Sequence, residues 1–334
     1  MTRVATIDTR RFFALLLIAA MLIVMIPIGV AMLPSGVLAA DNGTVTCNFT
    51  TNNGAPTVDS VAIGSTTLSP GSAYDITVTV SDTNTLDDED NITVYFYYDA
   101  DGTYADPTPS ANNNNFAVLK WVKGAGFSLD AAHSGSTWGL TGTPPTMTLS
   151  TGSWVFHVTV SKVAEETLSG AEWHINAHVN DGTAEAEGTN AVGNHAQVNW
   201  YGEITVATSA IDWGAMATGT DNTQSAAIGA TYIANGTYDQ QAMASSTWTG
   251  PATIGLDATG NPGDAQLSVR ANDTNDLAGA IQVSSASYQS FDSGVMTVEA
   301  GNPETTNYLW LTLGHTGIPA GTYTGSVYFK IVNS

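Results

Sequence analysis

The sequence predicts an all-β chain: two tandem antiparallel β-sandwiches behind an N-terminal apolar helical segment. Three observations carry this. Apolar and polar residues alternate along several β-branched runs, helical periodicity is almost missing after residue 40, and turn signals rich in Gly, Pro and Asn separate the runs. A period of two marks a strand buried on one face, and many short strands joined by turns make a sandwich or barrel. A length of 334 residues allows about two domains at roughly 150 residues each.

Residues 1–40 read as a signal peptide or a membrane anchor. Arg3, Arg10 and Arg11 precede Phe12 to Leu33, which is apolar apart from Pro27 and Gly29. Pro34-Ser35-Gly36 breaks the run, and Val37-Leu38-Ala39 before Ala40 offers small residues to a signal peptidase. The apolar core exceeds the ~7–15 residues of a cleaved signal and approaches the ~20 of a membrane span. Cleavage and retention as an anchor therefore both stay open, and a membrane is met only through this segment if it is uncleaved. Thr9-Arg10-Arg11-Phe12-Phe13 also resembles a twin-arginine export signal.

Residues 41–55 are polar and without periodicity, a tail or linker. They hold the single cysteine, Cys47, so an internal disulfide is excluded, and the thiol is either incidental or bridges two subunits. Asn42, Asn48, Asn91, Asn235 and Asn272 each begin an Asn-x-Thr triplet, as in a secreted glycoprotein.

A first sandwich is expected over 56–200. Tyr74 to Ser81 points Ile76, Val78 and Val80 one way, and Asn91 to Asp99 does the same with Ile92, Val94, Phe96 and Tyr98. Trp154 to Val160 and Trp173 to Val179 place Trp154, Phe156, Val158, Val160 and Trp173, Ile175, Ala177, Val179 inward. Lys162 to Gly170 could form one helical turn. A second sandwich is expected over 201–334, with strands at 203–208, 226–234, 238–244, 265–271, 295–299, 307–313 and 321–332. Leu309, Leu311 and Leu313 set against Tyr308 and Trp310 indicate a strand buried on both sides. Asn235-Gly236, Asn261-Pro262-Gly263 and Ile318-Pro319-Ala320-Gly321 are the turn signals.

The run Leu68-Ser69-Pro70-Gly71-Ser72-Ala73-Tyr74-Asp75-Ile76-Thr77-Val78-Thr79-Val80-Ser81-Asp82, continuing through Leu86-Asp87-Asp88 to Tyr97-Tyr98-Asp99, resembles the Ig-like modules of prokaryotic, especially archaeal, surface proteins. Ile318 to Val327 is similar to the last hairpin of many such sandwiches. The resemblance implies Ig-like sandwiches at the cell surface, in surface-layer, adhesion or filament proteins. Many unrelated adhesins share the pattern, so it speaks to fold and place more than to activity.

With 30 acidic against 8 basic residues, the formal charge is −22, and only 11% of residues are charged. Such a chain has no basic face to replace phosphate counterions, which excludes nucleic acid and disfavours docking on anionic lipid. The acidic residues concentrate at Asp82, Asp87, Asp88, Glu89 and Asp90. If Tyr74–Ser81 and Trp173–Val179 are the second and sixth strands of an Ig-like sandwich, their following loops meet at one pole. Asp181, Glu185 and Glu187 would then stand opposite. Converging carboxylates suit Ca²⁺, which takes six to eight oxygens; Asp82, Asp87, Asp88, Asp90 and Asp181 are the expected ligands, and a solvated acidic loop is the alternative. Asp99-Ala100-Asp101-Gly102 is a weaker cation candidate.

A transition-metal site is not expected: His174 and His178 share a strand face but stand ~13 Å apart, and the other histidines are scattered. Tyr95 and Tyr97 project from the polar face of their strand, where they could stack on sugar rings or a second subunit, or lie under a neighbouring loop such as 107–115. Glu165 and Glu166 with Glu172 and His174 make only a weak acid–base set. No nucleophile elbow, zinc-protease, phosphate-loop or dinucleotide motif occurs, so no enzyme is expected. The expected role is an exported structural protein of the cell surface, a self-assembling filament or coat subunit, whose partners are its own copies or other surface proteins and glycans. The rival reading is an extracellular adhesin or carbohydrate-binding module.

Overall fold

The computed structural model describes residues 46–100, 114–135, 137–190, 194–297 and 304–334. The expected signal segment, Asn42 and Asp101 lie outside these. The chain forms two units, Met1–Asn52 and Asn53–Ser334. Residues 46–52 of the first are exposed and carry no regular secondary structure. Among the described residues no helix is long and apolar enough to cross a membrane.

The second unit is all-β. Its N-terminal half contains β1 (Thr57–Ile63), β2 (Thr67–Leu68), β3 (Ala73–Ser81), a 3-10 turn at Leu86–Asp88, β4 (Asn91–Asp99), β5 (Phe116–Val122), β6 (Gly126–Leu129), β7 (Gly139–Thr143), β8 (Thr151–Thr159), β9 (Glu172–Asn180), β10 (Glu185–Thr189) and β11 (Gln197–Val198). One antiparallel sheet runs β1-β3-β8-β7 and the other β10-β9-β4-β5-β6; β2 and β11 form a short parallel pair beside them. Ile76, Val78, Val80, Trp154, Phe156 and Val158 of the first sheet share one buried core with Ile92, Val94, Phe96, Trp173, Ile175, Ala177 and Val179 of the second. These are the residues that alternation assigned inward. Each buried aromatic ring of this size removes a large apolar area from water, and Trp154 meets Trp121 edge-on at 5.3 Å between centroids.

The C-terminal half adds β12 (Gly202–Val206), β13 (Thr223–Gln224), β14 (Ile228–Ala234), β15 (Tyr238–Ala244), β16 (Thr247–Thr249), β17 (Thr253–Leu256), β18 (Gln266–Asn272), β19 (Ile281–Gln282), β20 (Gln289–Gly294), β21 (Glu304–Leu313) and β22 (Val327–Asn333). The larger sheet runs β12-β14-β21-β18-β17-β16, and the smaller β20-β15-β22. A second core gathers Ile228, Ala242, Trp248, Leu267, Val269, Leu309 and Leu311. β21 lies between β14 and β18 and buries Leu309, Trp310 and Leu311, so it is covered on both faces as its composition requires.

Three local expectations are corrected. No helix forms at 162–170, which is irregular apart from turns. Of the strand expected at 295–299, residues 295–297 carry no strand and Val295 is exposed, while 298–299 lie outside the described residues; the strand that forms, β20, ends just before it at Gly294, opposite Tyr238. The segment 318–327 does not close a hairpin, because β21 and β22 belong to different sheets; β22 pairs with β15 instead.

Asn235 joins the two halves. The chain bends at Asn235-Gly236, as the turn signal requires, and passes from β14 in one sheet to β15 in the other. The Asn235 side chain is fully buried, with Nδ2 donating to the carbonyls of Ala164 (2.8 Å) and Asn199 (2.9 Å), while Oδ1 accepts from the Tyr201 N–H (2.6 Å). The Glu166 N–H donates to the Asn235 carbonyl. Around it, Asn114 Nδ2 donates to the Thr297 carbonyl at 2.8 Å, and Lys162 pairs with Glu203 at 2.8 Å. Buried polar groups that satisfy one another fix a single arrangement, since any shift leaves donors or acceptors unpaired. Replacing Asn235 with Ala strands two carbonyls and an amide, so N235A should cost about 2–4 kcal/mol, read as a lower urea midpoint. An unchanged midpoint would show that the junction does not depend on this residue.

Candidate functional site

The acidic pole is built by the turn between β3 and β4. Asp82 follows β3, is 3% exposed and accepts the Asn84 N–H on Oδ1 at 2.5 Å. Thr85 then adopts φ 88°, a region a β-branched residue rarely enters. The next residue, Leu86, is wholly buried in the first core, and its N–H donates to the Leu149 carbonyl. Anchoring Leu86 tightens the chain into the 3-10 turn, which carries Asp88 and Glu89 inward beside Asp82. The ligand oxygens of Asp82, Asp88 and Glu89 lie within 4.8 Å of one another. Glu89 is 0% exposed, and among the described residues no donor reaches either of its carboxylate oxygens, nor Asp82 Oδ2 or Asp88 Oδ1.

Burial pushes the Glu89 carboxyl up to about 7, reinforced by the charges of Asp82, Asp88, Asp181 and Asp90. Burial and Asp82 also raise Asp88. In Asp181 burial acts upward too, but the N–H groups of Ala184 (2.6 Å) and Thr183 (2.7 Å) and the Asn53 amide (2.9 Å) hold its carboxyl below the usual range. Four carboxylate oxygens without donors among the described residues converge at this buried turn, and oxygens of this kind are the hard ligands that Ca²⁺ takes.

The loops after β3 and β9 meet at one end of the sheets, and the carboxylates that converge there differ from the expected set. Asp82 and Asp88 are in the cluster. Asp87 is not: its side chain is exposed and faces Lys123 at 3.8 Å. Asp90 is exposed, with its carboxylate against Gly182, where an added Cβ would lie 2.5 Å from Oδ2. Asp181 lies close enough to raise Glu89, yet both its oxygens already accept protein hydrogen bonds. Glu185 and Glu187 flank His178 at 2.8 and 3.8 Å instead of joining the cluster. Glu89, named among the loop carboxylates but not among the ligands, is the central one. Its position directly after the apolar Leu86 turn was the available signal.

Tyr97 does not offer a binding stripe. It is buried, stacked on Phe116 (6.3 Å) and His174 (5.7 Å), and only Tyr95 is half-exposed. Asn235 and Asn272 are buried, and both amide nitrogens are engaged, Asn272 with Thr274 and Asp276. A glycan needs an exposed amide, so neither suits attachment in the folded chain, whereas Asn48 is exposed and Asn91 half-buried. Cys47 is exposed. Glu166 is engaged at the junction, accepting the Asn333 amide at 3.0 Å, and burial raises both Glu165 and Glu166.

The histidines are less scattered than their spacing implied. His174 and His195 approach to 4.1 Å between ring centroids, and Glu172 lies within reach of both. His195 stands in the connection between β10 and β11, a proximity no strand periodicity encodes.

No protein-family model matches the chain, and no curated protein matches it.

Two outcomes follow from this geometry. A carboxyl whose folded value is raised stabilises the fold in full below its ordinary 4.5, and that stability is lost as pH rises through about 7. Cation-free protein should therefore melt higher at pH 5 than at 7.5, by about 3 kcal/mol at most. Glu89→Gln should flatten this dependence, and Ca²⁺ should raise the midpoint of the unsubstituted chain alone. Thermal scans check both, and a flat profile indifferent to Ca²⁺ would refute the site. Separately, glycopeptide mapping of the protein from its native host should find any sugar at exposed Asn48 and none at Asn235 or Asn272; occupancy of Asn235 would contradict its burial.

Proposed function

We propose that the chain is an exported structural protein of the cell surface, a self-assembling filament or coat subunit built from two Ig-like sandwiches. The observation that carries this reading is the junction around Asn235. Two sandwiches locked by buried hydrogen bonds behave as one strut, and a strut transmits force between neighbouring subunits instead of flexing between domains. Four strands facing five in the N-terminal half support the Ig-like reading. The basic, apolar and small-residue order of the first forty residues supports export.

The acidic pole adds a cation to this picture. Asn53 and Gly54, where the chain enters the folded unit, bond to Asp181 and Asn84 beside the cluster. Ca²⁺ held by Asp82, Asp88 and Glu89 would stiffen that point of entry, as suits a subunit tied to a surface through its N-terminal segment. Among the described residues β20 pairs only with β15, and its other edge would suit strand addition by another copy. Exposed Cys47 is available for a bridge between subunits. The adhesin alternative loses its aromatic stripe, because Tyr97 is packed away. Electron microscopy of Ca²⁺-replete full-length protein and of the native surface should show ordered assemblies; monomers alone in both would overturn the proposal.

A further inference from the structure

Outside the acidic pole, the other concentration of ligating side chains lies at the opposite end of β4 and β9. Register places Asp99 opposite Glu172 and Tyr97 opposite His174, so the end of β4 and the start of β9 present their side chains together. His174 Nε2 stands 3.9 Å from Glu172 Oε2 and 3.8 Å from Asp99 Oδ2. His195 Nδ1 is hydrogen-bonded to the same Glu172 Oε2. The ligand atoms of Glu172, His174 and His195 all lie within 4.8 Å of one another. Both imidazoles are buried, at 1% and 7% exposure.

A tetrahedral Zn²⁺ with Zn–N and Zn–O near ~2.0–2.1 Å needs its ligand atoms roughly 3.3 Å apart. The His174–Glu172 spacing is wider than that and the His195–Glu172 contact, a hydrogen bond, is closer, so a bound ion would draw His174 in and part His195 from Glu172 by side-chain rotation. Burial and the neighbouring His195 hold His174 below the usual imidazole range, which keeps it neutral with a lone pair to give. Two imidazoles with one carboxylate are ligands of borderline softness, unlike the all-oxygen acidic pole, so the two clusters select different cations. Glu172 and His195 also line an open surface pocket with Thr66, Thr67 and Gln197, which gives a cation and a water access from solvent.

We propose that Glu172, His174 and His195 form a binding site for a zinc-class divalent cation, with the Asp99 carboxylate adding negative charge beside His174 and a coordination position open toward the Thr66–Gln197 pocket. The bland alternative is a buried His–Glu hydrogen bond with a second imidazole packed on it. Three protein ligands and one open position would make the bound cation accessible to exogenous oxygen or nitrogen donors.

Co²⁺ is the probe, titrated into the full-length chain already saturated with Ca²⁺, so that the acidic pole is occupied and its failure would be scored separately. The expected result is one Co²⁺ per chain with the visible absorption of low-coordinate cobalt, displaced by Zn²⁺. His195→Gln should weaken binding by roughly 100-fold, and Asp99→Asn by about 10-fold as a neighbouring negative charge is lost. Should His195→Gln fail to fold, the unsubstituted chain still decides. A titration with no visible band, or a band that survives both substitutions in folded protein, overturns the site.

Discussion

Charge taken out of water must be neutralised, and this constraint organises the N-terminal half of the folded unit. The turn after β3 drives Leu86 into the core and thereby buries Glu89 and Asp82 beside Asp88. With only 8 basic residues in the chain there is little to oppose them, and the nearby Lys123 is directed at Asp87 and its carbonyl. The remaining means of neutralisation are a proton on Glu89 or a bound cation. A proton suffices only below about neutral pH. Above that, the stability of the turn and of the β3–β4 connection depends on what occupies the pole.

Much of this fold was legible because strand alternation is a local property. The inward sets on β3, β4, β8 and β9 were readable residue by residue, and each of their fully apolar positions is in the core. What alternation does not encode is which sheet a strand joins. β14 and β15 flank an Asn-Gly turn signal and yet separate into two sheets, and β21 and β22 do the same around a turn that resembles a hairpin. Those choices depend on long-range pairing, such as β22 with β15 across more than half of the C-terminal half.

The sites divide along the same line. That the loops after β3 and β9 meet was deducible from strand order. Which carboxylates turn inward was not, because the 3-10 turn and the positive φ of Thr85 rotate Asp87 outward and Glu89 inward. Asn235 carries two local signatures, a glycosylation triplet and a turn; the chain bends there, and the side chain is buried in the junction, whose partners Ala164 and Asn199 are distant in sequence. Likewise Glu172 and His174 sit two apart on one strand, a readable pair, but His195 reaches them through a loop.

In the function proposed above, the junction around Asn235 would fix the geometry within the chain, and a cation at the acidic pole would hold the segment at Asn53 and Gly54. The measurement that tests this most directly is a calorimetric titration of Ca²⁺ into the full-length protein near pH 7.5, alongside Glu89→Gln. The account predicts a saturable heat for the unsubstituted chain that the substitution abolishes. Heats equal to dilution in both proteins would contradict it.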